Sequence, residues 1–190
     1  MKSVMVEVSA RHLHLTNEHL KVLFGEGAEL HSKKDLSQPG QFACEEKVEV
    51  VGPKGSLKMS VLGPCRPETQ VEVALSDARG LGIKAPIRMS GDLNGTPGCK
   101  LVGPCGEVEL ERGVIVAKRH LHALPEAAAE WGIKDGQMIK LMVKTEGRSL
   151  IFDDVVARVS KTAGNAVHLD TDEANAANIG GTIDGEIVVG

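Results

Sequence analysis

Two histidines separated by one residue occur twice in this sequence, in a spacing that suits metal binding. The sequence Arg-His-Leu-His occupies residues 11–14 and returns at residues 119–122. Each copy follows a short apolar run, residues 4–8 or residues 114–117. Because side chains alternate along a strand, His-x-His places both imidazoles on one face. Two converging imidazoles form part of a metal site that lacks a carboxylate or a third histidine.

The repeat extends beyond the histidine pairs and indicates a third ligand for each of them. Val71–Ala78 matches Val167–Ala174 in pattern, since each reads as a strand that enters a polar helix start. This alignment puts Glu72 opposite His168. The two predicted metal sites are His12, His14 and Glu72, and His120, His122 and His168.

Three ligands with an open position are typical of catalytic zinc, so we expect about two zinc ions per chain. The ligand types alone do not exclude nickel, cobalt or manganese. Two such metals would clamp a phosphate or polarise a carbonyl. The alternative is that the histidines serve only in packing.

Three arginines lie close to these residues. Arg11 and Arg119 directly precede the histidine pairs and should point to the opposite face, where the expected role is a structural salt bridge or a hydrogen bond to a turn. Arg66 lies in Gly63–Pro67, just before the strand that carries Glu72, and a loop could project it toward the metals. The forked guanidinium matches phosphate or carboxylate.

The elements that must position these groups are short strands and helices. The chain has 190 residues, 42% of them hydrophobic, with no Tyr, one Trp and 22 Gly, which predicts many short aliphatic strands joined by turns. The predicted strands are 4–9, 48–51, 57–61, 69–75, 100–102, 107–110, 137–143, 149–159, 166–170 and 186–189, and a turn at residues 52–55 joins two of them as a hairpin. Thr16 is the predicted cap of the first helix, further helices are predicted from Ala123 and Thr171, and residues 76–81 form a short helix or a turn.

Composition also excludes several classes of protein. A net charge of −4 and a pI near 6.0 argue against a nucleic-acid binder. The sequence contains no run of 18 consecutive apolar residues, so no membrane span is expected. The first strand begins at Val4, so no signal peptide is expected and the predicted location is cytoplasmic. The four cysteines lack Cys-x-x-Cys spacing and are expected to be reduced and mostly buried.

Longer motifs extend over nearly the whole chain. They are residues 9–15 (SARHLHL), 36–43 (LSQPGQFA), 51–55 (VGPKG), 62–66 (LGPCR), 88–92 (RMSGD), 113–122 (GVIVAKRHLH) and 168–176 (HLDTDEANA). In these motifs the sequence resembles the PduL-type phosphate acyltransferases. The resemblance implies an enzyme that interconverts a short-chain acyl-CoA (acetyl or propanoyl) plus phosphate with acyl phosphate plus CoA.

The resemblance also implies a fold and a site. It implies a mainly β protein with two β-barrels capped by short helices, in which residues 1–10 and 119–190 form one barrel and residues 11–118 the other. It implies one zinc on His12, His14 and Glu72 and another on His120, His122 and His168, in the cleft between the barrels, with Arg66 holding phosphate. Microcompartment members carry an amphipathic N-terminal extension, which this sequence does not show, so packaging by its own N-terminus is not expected.

The mechanism expected from this resemblance is direct transfer. Phosphate at the second zinc and Arg66 would attack the thioester, and the thiolate would leave toward the first zinc. An acyl intermediate on Cys65 is the rival route. Expected partners are acyl-CoA, phosphate and acyl phosphate, without nucleic acid or membrane, and a homo-oligomer is possible. The alternatives are a metal-dependent hydrolase of a thioester or phosphate ester, and a non-enzymatic metal-storage or shell-associated protein.

Overall fold

The computed structural model describes residues 2–188. Met1, Val189 and Gly190 lie outside the described residues, and so does the last position of the strand predicted at 186–189. Within residues 2–188 the chain is mainly β, as predicted. None of the four helices in this range is long and apolar enough to cross a membrane.

The elements are short throughout. The strands are β1 (Lys2–Val8), β2 (His12–His14), β3 (Ser32–Asp35), β4 (Phe42–Val51), β5 (Ser56–Gly63), β6 (Gln70–Glu72), β7 (Ile87–Arg88), β8 (Cys99–Val102), β9 (Glu107–Leu110), β10 (Val114–Ala117), β11 (His120–Ala123), β12 (Met138–Val143), β13 (Leu150–Val159), β14 (Ala166–Leu169) and β15 (Ile183–Val188). The helices are α1 (Asn17–Phe24), α2 (Leu75–Leu81), α3 (Pro125–Trp131) and α4 (Thr171–Ala176).

The chain divides into two compact units. The first, called here the barrel unit, comprises the described residues up to Ala10, Ser37–Pro39 and the chain from Lys118 onward. The second, called the sheet unit, comprises Arg11–Leu36 and Gly40–Ala117. Each unit has its own aliphatic core.

The barrel unit is a closed six-stranded barrel in the order β1-β14-β11-β13-β12-β15. The N-terminal strand β1 lies parallel to β14 and antiparallel to β15, so it completes this barrel, as predicted. Closure pairs both edges of every strand of this barrel within residues 2–188. Val6, Leu121, Leu141 and Val167 are fully buried in its core, which is mostly aliphatic.

The sheet unit is a curled nine-stranded sheet rather than a second closed barrel among the strands described. Eight strands follow the order β7-β10-β6-β2-β5-β4-β8-β9, and β3 pairs with β4 off this path. The long hairpin β4–β5 matches the predicted turn at residues 52–55. The strand expected at 69–75 is shorter, because β6 ends at Glu72 and α2 begins at Leu75.

Local sequence explains where the helices begin. The Thr16 side chain accepts a hydrogen bond from the backbone N–H of His19, which caps α1 as predicted. Pro125 occupies the first turn of α3, where a missing N–H costs nothing. At α4, Asp170 and Glu173 exchange side-chain hydrogen bonds with each other's backbone N–H, at 2.8 and 2.9 Å.

Candidate active site

The sheet unit brings His12, His14 and Glu72 together in what we call the His-His-Glu cluster. Strand β2 lies between β5 and β6, and His12 is the direct antiparallel partner of Glu72. All three residues are buried, and one ligand atom from each lies within 4.8 Å of the others. The distance from His12 Nε2 to Glu72 Oε2 is 3.5 Å. This arrangement is a three-ligand set of the kind that zinc accepts.

Hydrogen-bond donors surround the Glu72 carboxylate. The Ser90 hydroxyl donates to Glu72 Oε1 at 2.9 Å, and the Gln70 amide donates to the same oxygen. Gln70 also donates to Ser90 Oγ at 2.8 Å, and its own carbonyl oxygen accepts from the N–H of Gly91 at 2.7 Å. These bonds fix the carboxylate and hold the loop after β7 against β6.

The electrostatics at two members of this cluster, His14 and Glu72, favour the protonation states that metal ligands require. Burial lowers the pKa of His14 to about 3, helped by the charges of His12 and Arg66. Burial alone would raise the pKa of Glu72, but the charge of His12 and its hydrogen bond outweigh burial and hold that pKa well below its usual range. The imidazole of His14 is therefore neutral and Glu72 is ionised, as metal ligands must be.

The barrel unit brings together the second set, His120, His122 and His168, called here the three-histidine cluster. His120 is the direct antiparallel partner of His168, just as His12 is of Glu72 in the other unit. The Nε2 atoms of His120 and His122 are 3.0 Å apart, and the three ligand atoms lie within 4.8 Å of one another. The repeat alignment that paired Glu72 with His168 is thus reproduced by strand register.

Two further contacts characterise this cluster. His120 Nδ1 lies 2.8 Å from the carbonyl oxygen of Lys118, which leaves Nε2 as the atom directed at His122. Burial lowers the pKa of His122 to about 3, with added effects from the charges of His120, His168 and Arg158. His122 is therefore neutral at physiological pH.

Arg66 lies in the sheet unit close to the His-His-Glu cluster. Its Nη1 donates to Ser90 Oγ at 3.2 Å, and its backbone N–H donates to the carbonyl of Leu15 at 2.8 Å. The guanidinium is near enough to depress the pKa of His14. A single hydroxyl, that of Ser90, therefore contacts both Arg66 and Glu72.

The other two arginines form the structural salt bridges expected of them. Arg11 pairs with Asp77 at 2.9 Å, and Arg119 pairs with Glu173 at 3.0 Å. Both acceptors are the third residue of the helix that follows the strand with the third ligand, so this contact is also part of the repeat.

All four cysteines are free, but only Cys44 and Cys99 are buried, so the expectation of mostly buried thiols holds for two of the four. Burial raises the pKa of Cys44 to about 11 and that of Cys99 to about 12. Burial also raises the pKa of Cys65, whereas Cys105 is exposed. A raised pKa keeps a thiol protonated, and the protonated form is a poor nucleophile.

Sequence reasoning missed the polar residues that contact Glu72 and His168, the third candidate ligand of each cluster. Gln70 and Ser90 donate hydrogen bonds to Glu72. Glu7 Oε2 lies 3.2 Å from His168 Nε2. A signal was present for Glu7, because it interrupts the apolar run 4–8 at the position that the repeat aligns with Ile115. Ser90 lies in the motif at residues 88–92, but nothing in that motif relates it to Glu72.

Comparison with known proteins identifies the family. Residues 5–180 match the family described as phosphate propanoyltransferase. A phosphate propanoyltransferase of Thermotoga maritima is 52% identical over 175 residues, 92% of this chain and 83% of the relative. The phosphate propanoyltransferase of Clostridioides difficile is 52% identical over 174 residues, 91% of this chain and 83% of the relative. That of Leptotrichia buccalis is 50% identical over 184 residues, 96% of this chain and 87% of the relative.

These matches define the chain as an acyltransferase. It belongs to the phosphate propanoyltransferase family, which confirms the resemblance seen in the sequence motifs.

Proposed function

We propose that this phosphate acyltransferase interconverts acetyl- or propanoyl-CoA plus phosphate with the acyl phosphate plus CoA, using two zinc sites and direct attack of phosphate on the thioester. Family membership supports the acyl transfer itself. The observation that carries the metal proposal is the pair of clusters at repeat-equivalent strand positions, each with three ligand atoms within 4.8 Å.

The residues of both clusters fit zinc. Imidazole nitrogen and carboxylate oxygen are ligands that zinc accepts in three-ligand catalytic sites. The low pKa values of His14, His122 and Glu72 keep these side chains in their ligating forms. When bound, zinc would supply Lewis-acid polarisation and favour the thiolate form of a CoA sulfur.

In this proposal Arg66 holds phosphate. Its forked donors can bind two phosphate oxygens at once. A phosphate oxygen forms a bond to the thioester carbon, the carbon–sulfur bond breaks, and the electron pair leaves on sulfur as the CoA thiolate. Negative charge develops on the carbonyl oxygen during attack, and donors already in place for that oxygen lower the barrier. Ser90 holds the Arg66 side chain close to Glu72, because its hydroxyl contacts both.

Direct transfer is favoured over an acyl intermediate on Cys65. The rival route requires a thiolate at neutral pH, usually produced by a neighbouring base or cation. The pKa of Cys65 is instead raised by burial. We therefore expect Cys65→Ala to retain turnover.

The test measures thiol release from acetyl-CoA and propanoyl-CoA with and without phosphate, alongside metal content by elemental analysis. The proposal expects phosphate-dependent release and about two zinc ions per active chain. His120→Ala should lose one zinc and nearly all turnover. The matched control is His31→Ala, because His31 is exposed and its ring contacts Glu46 at 2.7 Å, away from both clusters in sequence.

Two outcomes would contradict the proposal. Thiol release that does not depend on phosphate would indicate a thioester hydrolase instead. Full activity in protein that contains no stoichiometric divalent metal would remove both proposed zinc sites.

A further inference from the structure

Glu7 lies beside the three-histidine cluster, on the far flank of His168. Strand β14 lies between β1 and β11 in the barrel. Glu7 of β1 and His120 of β11 are both direct register partners of His168. The three side chains therefore form one row across the sheet, with the imidazole of His168 between a carboxylate and another imidazole. The distance from His168 Nε2 to Glu7 Oε2 is 3.2 Å.

The sheet unit contains the same row with the opposite chemistry. There Ile115 of β10 pairs with Glu72 of β6, and Glu72 pairs with His12 of β2. Ile115 is fully buried and stands at the position that the repeat aligns with Glu7. Where the third ligand is a histidine, its flanking residue is thus a hydrogen-bond acceptor. Where the third ligand is a carboxylate, the flanking residue is apolar.

This difference follows from what each third ligand needs. A ligating imidazole has one remaining N–H, which is best satisfied by a carboxylate or a carbonyl. A ligating carboxylate needs donors instead, and Gln70 and Ser90 supply them to Glu72. A second carboxylate at position 115 would add only repulsion.

We propose that Glu7 is a positioning residue for the three-histidine cluster: it accepts the Nε2–H of His168, fixes the tautomer whose lone pair is on Nδ1, and so raises the metal affinity of the cluster. The proposal rests on the metal site proposed above. A carboxylate that bonds a ligating histidine orients the ring and increases its basicity, and loss of such a partner typically weakens metal binding about 10–100-fold.

The Glu7 carboxylate is itself held in place. The Ser37 hydroxyl donates to Glu7 Oε2. Next to it, the Gln38 amide donates to the carbonyl of Gly164 at 3.2 Å and accepts from the Gly164 N–H at 3.1 Å. Ser37–Pro39 is thereby fixed within the barrel unit. Glu7 thus has one contact that supports the cluster and another that supports this segment, and the test must separate them.

The test is zinc affinity, measured by competition with a chelator on metal-free protein. A His14→Ala background removes a ligand from the His-His-Glu cluster, so that the remaining zinc reports on the three histidines. Glu7→Gln keeps the shape and a weaker acceptor, and Glu7→Ala removes the acceptor. We expect a loss of affinity of about tenfold for Gln and up to about 100-fold for Ala. The same titration in the otherwise unchanged chain provides the result if the His14→Ala background does not fold.

Cobalt provides a spectroscopic readout of the same effect. Substituted Co²⁺ should show a changed ligand-field spectrum in Glu7→Ala, because the orientation of His168 changes. The matched control is Glu186→Gln, which removes a carboxylate from the neighbouring strand β15 where it pairs with Lys144 at 2.8 Å. This control should leave both zinc affinity and the cobalt spectrum unchanged.

Ser37→Ala separates the structural role of Glu7 from the metal role. It removes the contact of Glu7 with Ser37 but leaves the contact with His168, so thermal stability should fall while zinc affinity stays within about threefold of the parent. An affinity of Glu7→Ala within twofold of the parent, in a parent that binds zinc at this cluster, would overturn this inference alone. A parent that binds no zinc at this cluster would overturn the proposed metal site as well.

Discussion

Removal of the Arg66 guanidinium tests the phosphate-binding role most directly. If Arg66 holds the attacking phosphate and stabilises charge that develops in the transition state, Arg66→Ala should lose about 10²–10³ in kcat, the scale measured when one oxyanion donor is removed. Arg66→Lys keeps the charge but not the bidentate fork, so its rate should be intermediate.

The contacts of Arg66 predict a much smaller structural cost. The bond from Arg66 Nη1 to Ser90 is lost, but Ser90 still donates to Glu72 and accepts from Gln70. Losing one hydrogen bond of this kind costs about 1–2 kcal/mol of unfolding free energy. The pKa of His14 should rise without its charged neighbour, but burial, the larger cause, still lowers it. We therefore expect both Arg66 variants to fold and to bind as much zinc as the parent does.

The assay is steady-state thiol release at varied phosphate concentration, with zinc content and the unfolding transition measured on the same samples. Loss of an interaction made only in the transition state lowers kcat and kcat/KM together, whereas loss of uniform phosphate binding raises KM alone. Arg112→Ala is the matched control, since Arg112 pairs with Glu68 at 2.6 Å and both side chains are about half exposed. An exposed pair of this kind contributes at most about 1 kcal/mol.

One result would refute the reasoning. If Arg66→Ala lowers thermal stability but leaves turnover per folded molecule within a few-fold of the parent, Arg66 only braces its loop and has no place in the site.

Two further predictions concern stability and thiol chemistry. Cys105 is exposed and should react with an aromatic disulfide reagent in the native protein at pH 8. Cys44 and Cys99 should react only after unfolding, because burial raises their pKa values to about 11 and about 12. Rapid labelling of all three thiols in the native protein would contradict their burial. Arg119→Ala should lower the free energy of unfolding by about 1 kcal/mol at pH 7 and by less at pH 4. Burial raises the pKa of Glu173, so at low pH this carboxyl is protonated and its ion pair with Arg119 is already lost in the parent. Equal losses in denaturant unfolding at both pH values would contradict this.

The sequence predicted the fold where local patterns determine structure. The Thr16 cap, the turn at residues 52–55 and the alternating aliphatic strands each depend on neighbours in sequence, and each matches the structure. The prediction of two β-barrels came from family resemblance; the barrel unit closes fully, and the sheet unit curls into a half-barrel. Strand pairing at a sheet edge depends on distant segments, which local patterns do not reveal.

The candidate ligands were predictable for a different reason. A duplicated pattern supplies its own alignment, so Glu72 and His168 could be paired with the histidines before any strand register was known. The donors and acceptors around them could not, because Gln70 and Ser90 are 20 residues apart and Glu7 is 161 residues from His168. Such contacts exist only once the strands have paired.

The two clusters show how a repeated framework can hold unlike sites. Backbone register places the third candidate ligand at the same point in both units, as the partner of the first histidine. The side chains around that ligand then have to match its hydrogen-bonding sense: donors around the carboxylate of Glu72, an acceptor beside the imidazole of His168. A change at either third-ligand position therefore requires a change at its flanking position, since a carboxylate beside Glu7 would be repelled and an imidazole beside Ile115 would lack an acceptor from that strand. The difference between Glu7 and Ile115 therefore matches the difference between His168 and Glu72, because each flanking residue suits the hydrogen bonding of its own neighbour.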